Sequence, residues 1–103
     1  MAEVLSIAIF DPLPGSDDEA LATMRALGAL MAEKGYGRDR LYRDPDSGQH
    51  LLLRYWTSAA ARREAHEDPQ VHAFWIRLSE LIQTRTVYEK LDDVSESANR
   101  HGV

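Results

Sequence analysis

The most informative stretch of the sequence is YWTSAAARREAHEDPQVHAFWIRLSEL, residues 55–81. It begins at the end of an apolar run and contains two segments of helical pattern, which Asp68 and Pro69 separate. Ser58 and Asp68 suit the N-caps of the two segments, and Pro69 suits a first helical position, where its missing N–H costs nothing. We therefore predict the end of a strand followed by two short helices, and we expect this stretch to line one wall of any pocket.

The second segment has the periodicity of an amphipathic helix, because its apolar residues recur at intervals of three and four positions. These residues are Val71, Phe74, Leu78, Leu81 and Ile82. Trp75 lies at the edge of this apolar face, one turn after His72. The first segment, residues 59–67, has little apolar surface, and the residues that it can turn inward are Ala61, Ala65 and His66. Both segments therefore predict helices that pack against a sheet.

Four strands and one long helix are predicted around this stretch. Residues 16–34 have helical periodicity, whereas residues 3–10, 37–43, 50–56 and 84–91 have strand character. The order of these elements predicts an α+β, ferredoxin-like β-α-β-β-α-β fold with a four-stranded antiparallel sheet.

Local signals mark the ends of the first strand and of the long helix. The segment DPLPG at residues 11–15 is expected to break the strand. Ser16 and Glu19 have the spacing of a capping box, and Lys34 followed by glycine marks the end of the helix. The helix is therefore expected to begin with a side-chain cap.

The first and third strands, residues 3–10 and 50–56, have apolar residues at both odd and even positions. A sheet with one solvated face alternates apolar and polar residues instead. In the last strand, simple alternation predicts that Val87 and Leu91 share a face. Two helices cover only one face of a four-stranded sheet, so we predict a homodimer in which the two uncovered faces pack together.

The 103-residue chain has an ordinary globular composition, with 44% hydrophobic and 28% charged residues. We expect one domain over residues 1–92 and a polar tail over residues 93–103. The absence of cysteine excludes disulfides, thiolate catalysis and cysteine-ligated metal sites. A net charge of −5 and scattered basic residues argue against a nucleic acid partner. Neither a membrane span nor a signal-peptide pattern is present, so we expect a cytoplasmic protein with no membrane partner.

Several motifs in this order resemble the antibiotic biosynthesis monooxygenase superfamily. They are WTS at residues 56–58, a short helix that reaches His66, PQVHAF at residues 69–74 and TVYEKL at residues 86–91. The resemblance covers residues 3–91 and implies a dimeric α/β barrel. The superfamily includes quinol and anthrone monooxygenases that use no cofactor, heme-degrading enzymes, and members with no known reaction.

The heme-degrading branch of the superfamily is matched less well at its functional positions. That branch combines an Asn on the first strand with a Trp and a heme-ligating His on the helices. The first strand here has no Asn, the Trp position falls at Ala65, and the ligating His position falls at Trp75. These departures argue against heme degradation by that mechanism, and they leave heme binding through His66 or His72 as an alternative.

The resemblance implies an oxygenase that needs no cofactor and acts on an electron-rich aromatic molecule of the quinol, phenol or anthrone type. Such an enzyme needs a general base, and histidine titrates near neutral pH. His66 is the first candidate, because it ends the short helix beside the expected pocket, and His72 is the second. Arg54 is a candidate to stabilise a phenolate or enolate. The candidate ligand-binding residues are Trp56, Trp75, Phe74 and Tyr55.

Each candidate also has a purely structural interpretation. A histidine at a helix end often hydrogen-bonds to the backbone there, tryptophan and phenylalanine often fill a core, and Arg54 suits an ion pair, within the chain or across the dimer. No metal site is predicted, because His66 and His72 lie six positions apart on different helices. A non-catalytic protein that binds a small ligand or heme is therefore the alternative function.

Overall fold

Four strands and three helices make up residues 4–95, the part of the chain that the computed structural model describes. In chain order they are β1 (Val4–Pro12), α1 (Asp17–Glu33), β2 (Gly37–Arg43), β3 (His50–Trp56), α2 (Ala59–His66), α3 (Pro69–Ser79) and β4 (Ile82–Leu91). The strand order is β2-β3-β1-β4, and every neighbouring pair is antiparallel. The ferredoxin-like α+β fold is thus confirmed, with the second helical region divided as predicted.

Within residues 4–95, none of the helices is long and apolar enough to span a bilayer. Of the predicted C-terminal tail, residues 96–103 lie outside the described range.

The alternation of the strands determines which side chains enter the core. Along β3, buried residues alternate with half-buried ones, and the buried ones lie beneath the helices. The largest buried cluster joins β1 and β3 to all three helices, and it consists of Phe10, Met24, Leu27, Met31, Leu52, Trp56, Ala65, Val71 and Leu78. The opposite face of the sheet has no helix over it in the described range. Its central residues are apolar and half-buried: Leu5, Ile7, Ile9, Leu51 and Leu53.

The N-caps of the two short helices form as predicted, whereas the capping box of α1 does not. Ser58 and Asp68 each accept a hydrogen bond from a backbone N–H in the first turn of their helix. Ser16 makes no side-chain cap, since its φ of −108° and ψ of 7° lie outside the extended region that a capping residue adopts. Glu19 pairs instead with Arg77 of α3. The predicted capping box is therefore wrong, and a contact between helices replaces it.

β1 ends at Pro12, within the predicted break at residues 11–15, but it includes the first two residues of that stretch, Asp11 and Pro12. β3 ends at His50, opposite Phe10, and beyond that point β1 has only β4 beside it. A proline without an N–H is tolerated where a strand has a neighbour on one side only. Pro12 then pairs with Ile82, the first residue of β4.

α3 ends at Ser79, earlier than its apolar pattern suggested. Val71 and Leu78 are buried on its inner face, as predicted. Leu81 is buried in the turn that follows, and Ile82 belongs to β4. The predicted apolar face was therefore two residues too long, because Leu81 and Ile82 are apolar as parts of a buried turn and a strand and not as parts of the helix.

The pairing of β1 with β4 is irregular, and the irregularity moves Leu91 to the other face of the sheet. Val87 pairs with Ala8 on the helix-covered face. The register shifts between the pairs at Ile7 and Leu5, so that Leu91 lies opposite Leu5 on the uncovered face. The prediction that Val87 and Leu91 share a face is wrong, because simple alternation does not anticipate a bulge.

Asp68 ties the break between α2 and α3 to the turn between α1 and β2. Its carboxylate accepts hydrogen bonds from Lys34 Nζ at 2.6 Å and from the Tyr36 hydroxyl at 2.7 Å. The bond from Lys34, followed by that from Tyr36, lowers the pKa of Asp68 to about 2. The stretch that includes His66 is thereby held by a charged cluster at its midpoint.

Candidate functional site

A cleft lies between the sheet and the helices, as expected for the stretch at residues 55–81. One part, of about 150 Å³, lies beside α2 and is called the outer part. The adjoining part, of about 310 Å³, lies beside α1 and α3 and is called the inner part. We call the two together the helix-face cleft. Both parts are lined by Ala8, Leu52, Arg54, Trp75 and Val87. The inner part has the size of the smaller small-molecule sites in proteins, which begin at roughly 300 Å³.

His66 lies at the wall of the outer part, between the two tryptophans of the chain. The centre of its ring is 6.1 Å from that of Trp56 and 5.0 Å from that of Trp75. Its ring nitrogens make no hydrogen bond to any residue in the range 4–95. Although the residue as a whole is exposed, desolvation of its ring, followed by the positive charge of Arg62, lowers the pKa of His66. At neutral pH the ring is therefore an uncharged proton acceptor that faces the cleft.

His72 does not line the cleft. The residue is exposed, and its Nε2 donates a hydrogen bond to the backbone carbonyl of His66. His72 therefore caps the carbonyl at the end of α2, although it lies in the first turn of α3 itself. The two candidate bases therefore differ in position. His66 has ring nitrogens without a hydrogen bond at the cleft, whereas the ring of His72 is hydrogen-bonded to a backbone carbonyl.

Arg54 is buried and lies where the two parts of the cleft meet. Its Nε and Nη2 donate to the two carboxylate oxygens of Asp39, each at 2.7 Å. Its guanidinium carbon lies 5.6 Å from the centre of the Trp56 ring. The predicted ion pair is therefore formed within one chain, and it leaves the remaining nitrogen, Nη1, without a hydrogen bond to the described residues.

Trp56 forms the floor of the outer part and takes part in a hydrogen-bond chain. Its Nε1 donates to Ser6 Oγ at 2.8 Å, and Ser6 Oγ donates to the Glu89 carbonyl oxygen at 2.5 Å. The carboxylate of Glu89 in turn pairs with Arg62 at 3.1 Å. Trp56 therefore offers a ligand its ring surface, because its N–H is already bound.

The structure does not bring the other two predicted ligand-binding residues to the cleft. Phe74 packs against the core cluster from α3. Tyr55 lies on the uncovered face of the sheet, with the Arg38 guanidinium 4.2 Å from its ring centre. Strand alternation explains this position, since Arg54 and Trp56 on either side of Tyr55 point to the helices.

Four polar residues of the cleft region were missed by the sequence prediction: Ser6, Asp39, Arg62 and Glu89. For Asp39 a signal was available, because a symmetric hairpin around the turn after Arg43 pairs Asp39 with Arg54.

Within the described range, no three His, Asp or Glu side chains are arranged to hold a metal ion.

No family model and no curated protein matches the chain. Three solved structures are similar to it. Rv0793 from Mycobacterium tuberculosis is 24% identical, with 91% of this chain and 100% of that chain covered and a TM-score of 0.71. SnoaB from Streptomyces nogalater, described as a cofactor-independent oxygenase, is 20% identical, with 93% and 100% covered and a TM-score of 0.74. A protein from Bacteroides thetaiotaomicron, provisionally described as an antibiotic biosynthesis monooxygenase, is 8% identical, with 88% and 90% covered and a TM-score of 0.75.

At these identities the likeness is one of fold. It confirms the ferredoxin-like fold that the sequence predicted, and the structures that share this fold include one described as a cofactor-independent oxygenase and one provisionally described as an antibiotic biosynthesis monooxygenase.

Proposed function

We propose that the protein is a cofactor-independent monooxygenase that acts on an electron-rich aromatic molecule of the quinol, phenol or anthrone type. The observation that carries this proposal is His66, whose uncharged and unbonded ring faces the cleft between two indole rings. The shared fold with SnoaB, itself described as a cofactor-independent oxygenase, supports the proposal.

The chemistry needs only the substrate, O2 and a base. His66 accepts a proton from an acidic C–H or O–H of the bound substrate. The anion reduces O2 by one electron, and recombination of the two radicals forms a C–O bond in a peroxide anion. That anion takes the proton back from His66 and becomes a hydroperoxide. Loss of water from the resulting hydroperoxide gives a carbonyl. One oxygen atom of O2 ends in the product and the other in water, and the substrate supplies all the electrons that reduce O2.

The other residues of the cleft have supporting roles in this reaction. Trp56 and Trp75 offer flat surfaces on which an aromatic substrate stacks. Arg54 offers a positive charge to the substrate anion in a site with apolar walls, where charges interact more strongly than in water. His72 supports the helix end that carries His66 and takes no part in proton transfer.

We further propose a cytoplasmic homodimer in which two uncovered sheet faces pack together as a dimeric α/β barrel. The half-buried apolar residues of that face support this assembly, as do the two half-exposed tyrosines Tyr42 and Tyr88 at its margins. A large apolar surface of this kind is typical of an interface.

Oxygen consumption with a panel of quinols and anthrones, without added cofactor, tests the proposal. We expect turnover by the wild type and a loss of about 10²- to 10⁴-fold in His66→Ala, the usual contribution of a general base. Arg63→Ala is the matched control, because Arg63 is exposed on the same helix and does not line the cleft. His72→Ala is expected to retain most of the activity. Equal rates in the wild type and His66→Ala would eliminate His66 as the base.

Two observations weigh against the heme-degrading reaction. Ala65 is fully buried in the core, where the heme-degrading branch carries a Trp, and Trp75 lines the cleft in place of the ligating His. Tight binding of an aromatic compound without oxygen uptake would instead favour the non-catalytic alternative.

A further inference from the structure

The buried guanidinium of Arg54 has more hydrogen-bond donors than the protein uses. Arginine carries five N–H donors in a planar fork. Asp39 accepts from the edge formed by Nε and Nη2. The donors of Nη1, and the second donor of Nη2, make no hydrogen bond within residues 4–95. Nη1 is not among the buried polar atoms that lack a partner in the described range, so it keeps contact with the open space of the cleft, and this edge of Arg54 is suited to a ligand with an acceptor oxygen.

The other titratable groups around the cleft are weaker candidates for an anionic ligand. Arg62 also has unused donors, but it is only half-buried, lines the outer part alone and has the carboxylate of Glu89 at 3.1 Å. His66 is uncharged at neutral pH. The Trp56 N–H is bound to Ser6. Arg54 is therefore the buried cation of the cleft with donors left over, and it lies where both parts of the cleft meet.

Asp39 is held in place from two sides, so it fixes the orientation of Arg54. It lies directly opposite Arg54 in the β2–β3 register. Its carboxylate also lies against Gly28 of α1, where a Cβ atom would come within 3.1 Å of Oδ2. A side chain at this helix position would therefore displace the carboxylate.

We propose that the helix-face cleft selects aromatic molecules that carry an anionic oxygen group, that Nη1 of Arg54 binds that group, and that Asp39 is the positioning residue for Arg54. This inference rests on the proposed function for the identity of the site, and it names the charge class of the ligand. An ionised phenol or enol and an aromatic carboxylate share the required chemistry, which is a flat ring system with a localised negative oxygen. The two indoles contact the rings, and the fork of Arg54 matches the oxygen.

Binding, measured apart from turnover, tests this inference. Calorimetric titrations compare 2-naphthoate with 2-naphthamide, which has the same rings and no charge. We expect the wild type to bind 2-naphthoate about tenfold or more tightly than 2-naphthamide, as charge-assisted hydrogen bonds predict. Arg54→Met is expected to lose this preference while it still binds the amide. If Arg54→Met does not fold, the double variant Asp39→Asn/Arg54→Met provides the same measurement without an unpaired buried charge.

Asp39→Glu isolates the positioning role, because it keeps the charge and moves the carboxylate by one methylene. We expect the ratio of the two dissociation constants to fall severalfold, with the affinity for 2-naphthamide unchanged. A purely structural role would weaken both ligands together and leave the ratio as it is. Equal affinity of the wild type for the two probes, or no binding of 2-naphthoate at millimolar concentration, overturns the inference, and an unchanged ratio in Asp39→Glu overturns the role of Asp39.

The outcome is distinguishable from that of the proposed function. Selective binding of 2-naphthoate without oxygen uptake by any substrate would refute the monooxygenase and leave the anion site. Oxygen uptake that depends on His66 but not on Arg54 would support the monooxygenase and refute the anion site.

Discussion

Removal of the Asp39 carboxylate should destabilise the protein strongly, because it leaves Arg54 as an unpaired buried charge. The side chains of the pair are only 8% and 11% exposed, and two charge-assisted hydrogen bonds of 2.7 Å join them. Loss of one partner of such a pair costs about 3–5 kcal/mol. A separate cavity of about 300 Å³, lined by Asp39 and Gly28, lets water reach the vacated position. We therefore expect the lower end of this range for Asp39→Ala, about 3 kcal/mol.

Urea unfolding followed by circular dichroism measures this change, at one fixed protein concentration because the proposed dimer would dissociate on unfolding. In thermal unfolding, a loss of this size corresponds to a decrease in Tm of roughly 12 °C or more. Asp11→Ala is the matched control: it breaks the pair with Arg85, whose side chain is 48% exposed, and should cost less than about 1 kcal/mol. In the double variant Asp39→Ala/Arg54→Met, the loss should be smaller than the sum of the single losses. A cost for Asp39→Ala as small as that for Asp11→Ala would refute the argument that the pair is buried and mutually dependent.

Three further predictions concern pH dependence and packing. Lys34 and Tyr36 hold the pKa of Asp68 at about 2, below its ordinary value of 3.8. The ionised carboxylate therefore stabilises the fold fully above pH 3.8, and this stabilisation is lost as the pH falls towards 2. Asp68→Asn should therefore have a lower Tm than the wild type at pH 7, and the difference should disappear near pH 2. Because the pKa of His66 lies below 6.5, the rate of oxygen consumption should rise with pH only below that value and should be constant above pH 7. A midpoint of the pH–rate profile at or above 6.5 would contradict the desolvated position of the ring. Gly37→Ala should cost about 1–3 kcal/mol in urea unfolding, because its Cβ would lie 2.4 Å from a backbone oxygen of the neighbouring strand, and an unchanged midpoint would show that the strands are farther apart.

Local signals were sufficient for the parts of the fold that depend on neighbours in sequence. The caps at Ser58 and Asp68 and the alternation in residues 50–56 each depend on a few adjacent residues, and each was predicted correctly. From these elements His66 was expected beside a pocket, and a cleft lies there. The helix end and the cleft wall were therefore accessible to sequence reasoning.

The sequence predictions were wrong where contacts between residues distant in the chain determine the structure. Glu19 pairs with a residue of α3 and makes no capping box, and the bulge in β4 moves Leu91 to the other face of the sheet. The use of the Trp56 N–H by Ser6 depends on the pairing of two strands that are far apart in the chain. None of these contacts leaves a periodic signal in a single sequence.

Chemical rescue of a His66→Gly variant tests the central claim most directly, namely that the ring of His66 is the base of the helix-face cleft. With an anthrone substrate and no added cofactor, oxygen consumption by the variant should be low and should rise with the concentration of added imidazole, while the wild type shows no such dependence. A variant that consumes oxygen at the wild-type rate without imidazole would contradict the claim.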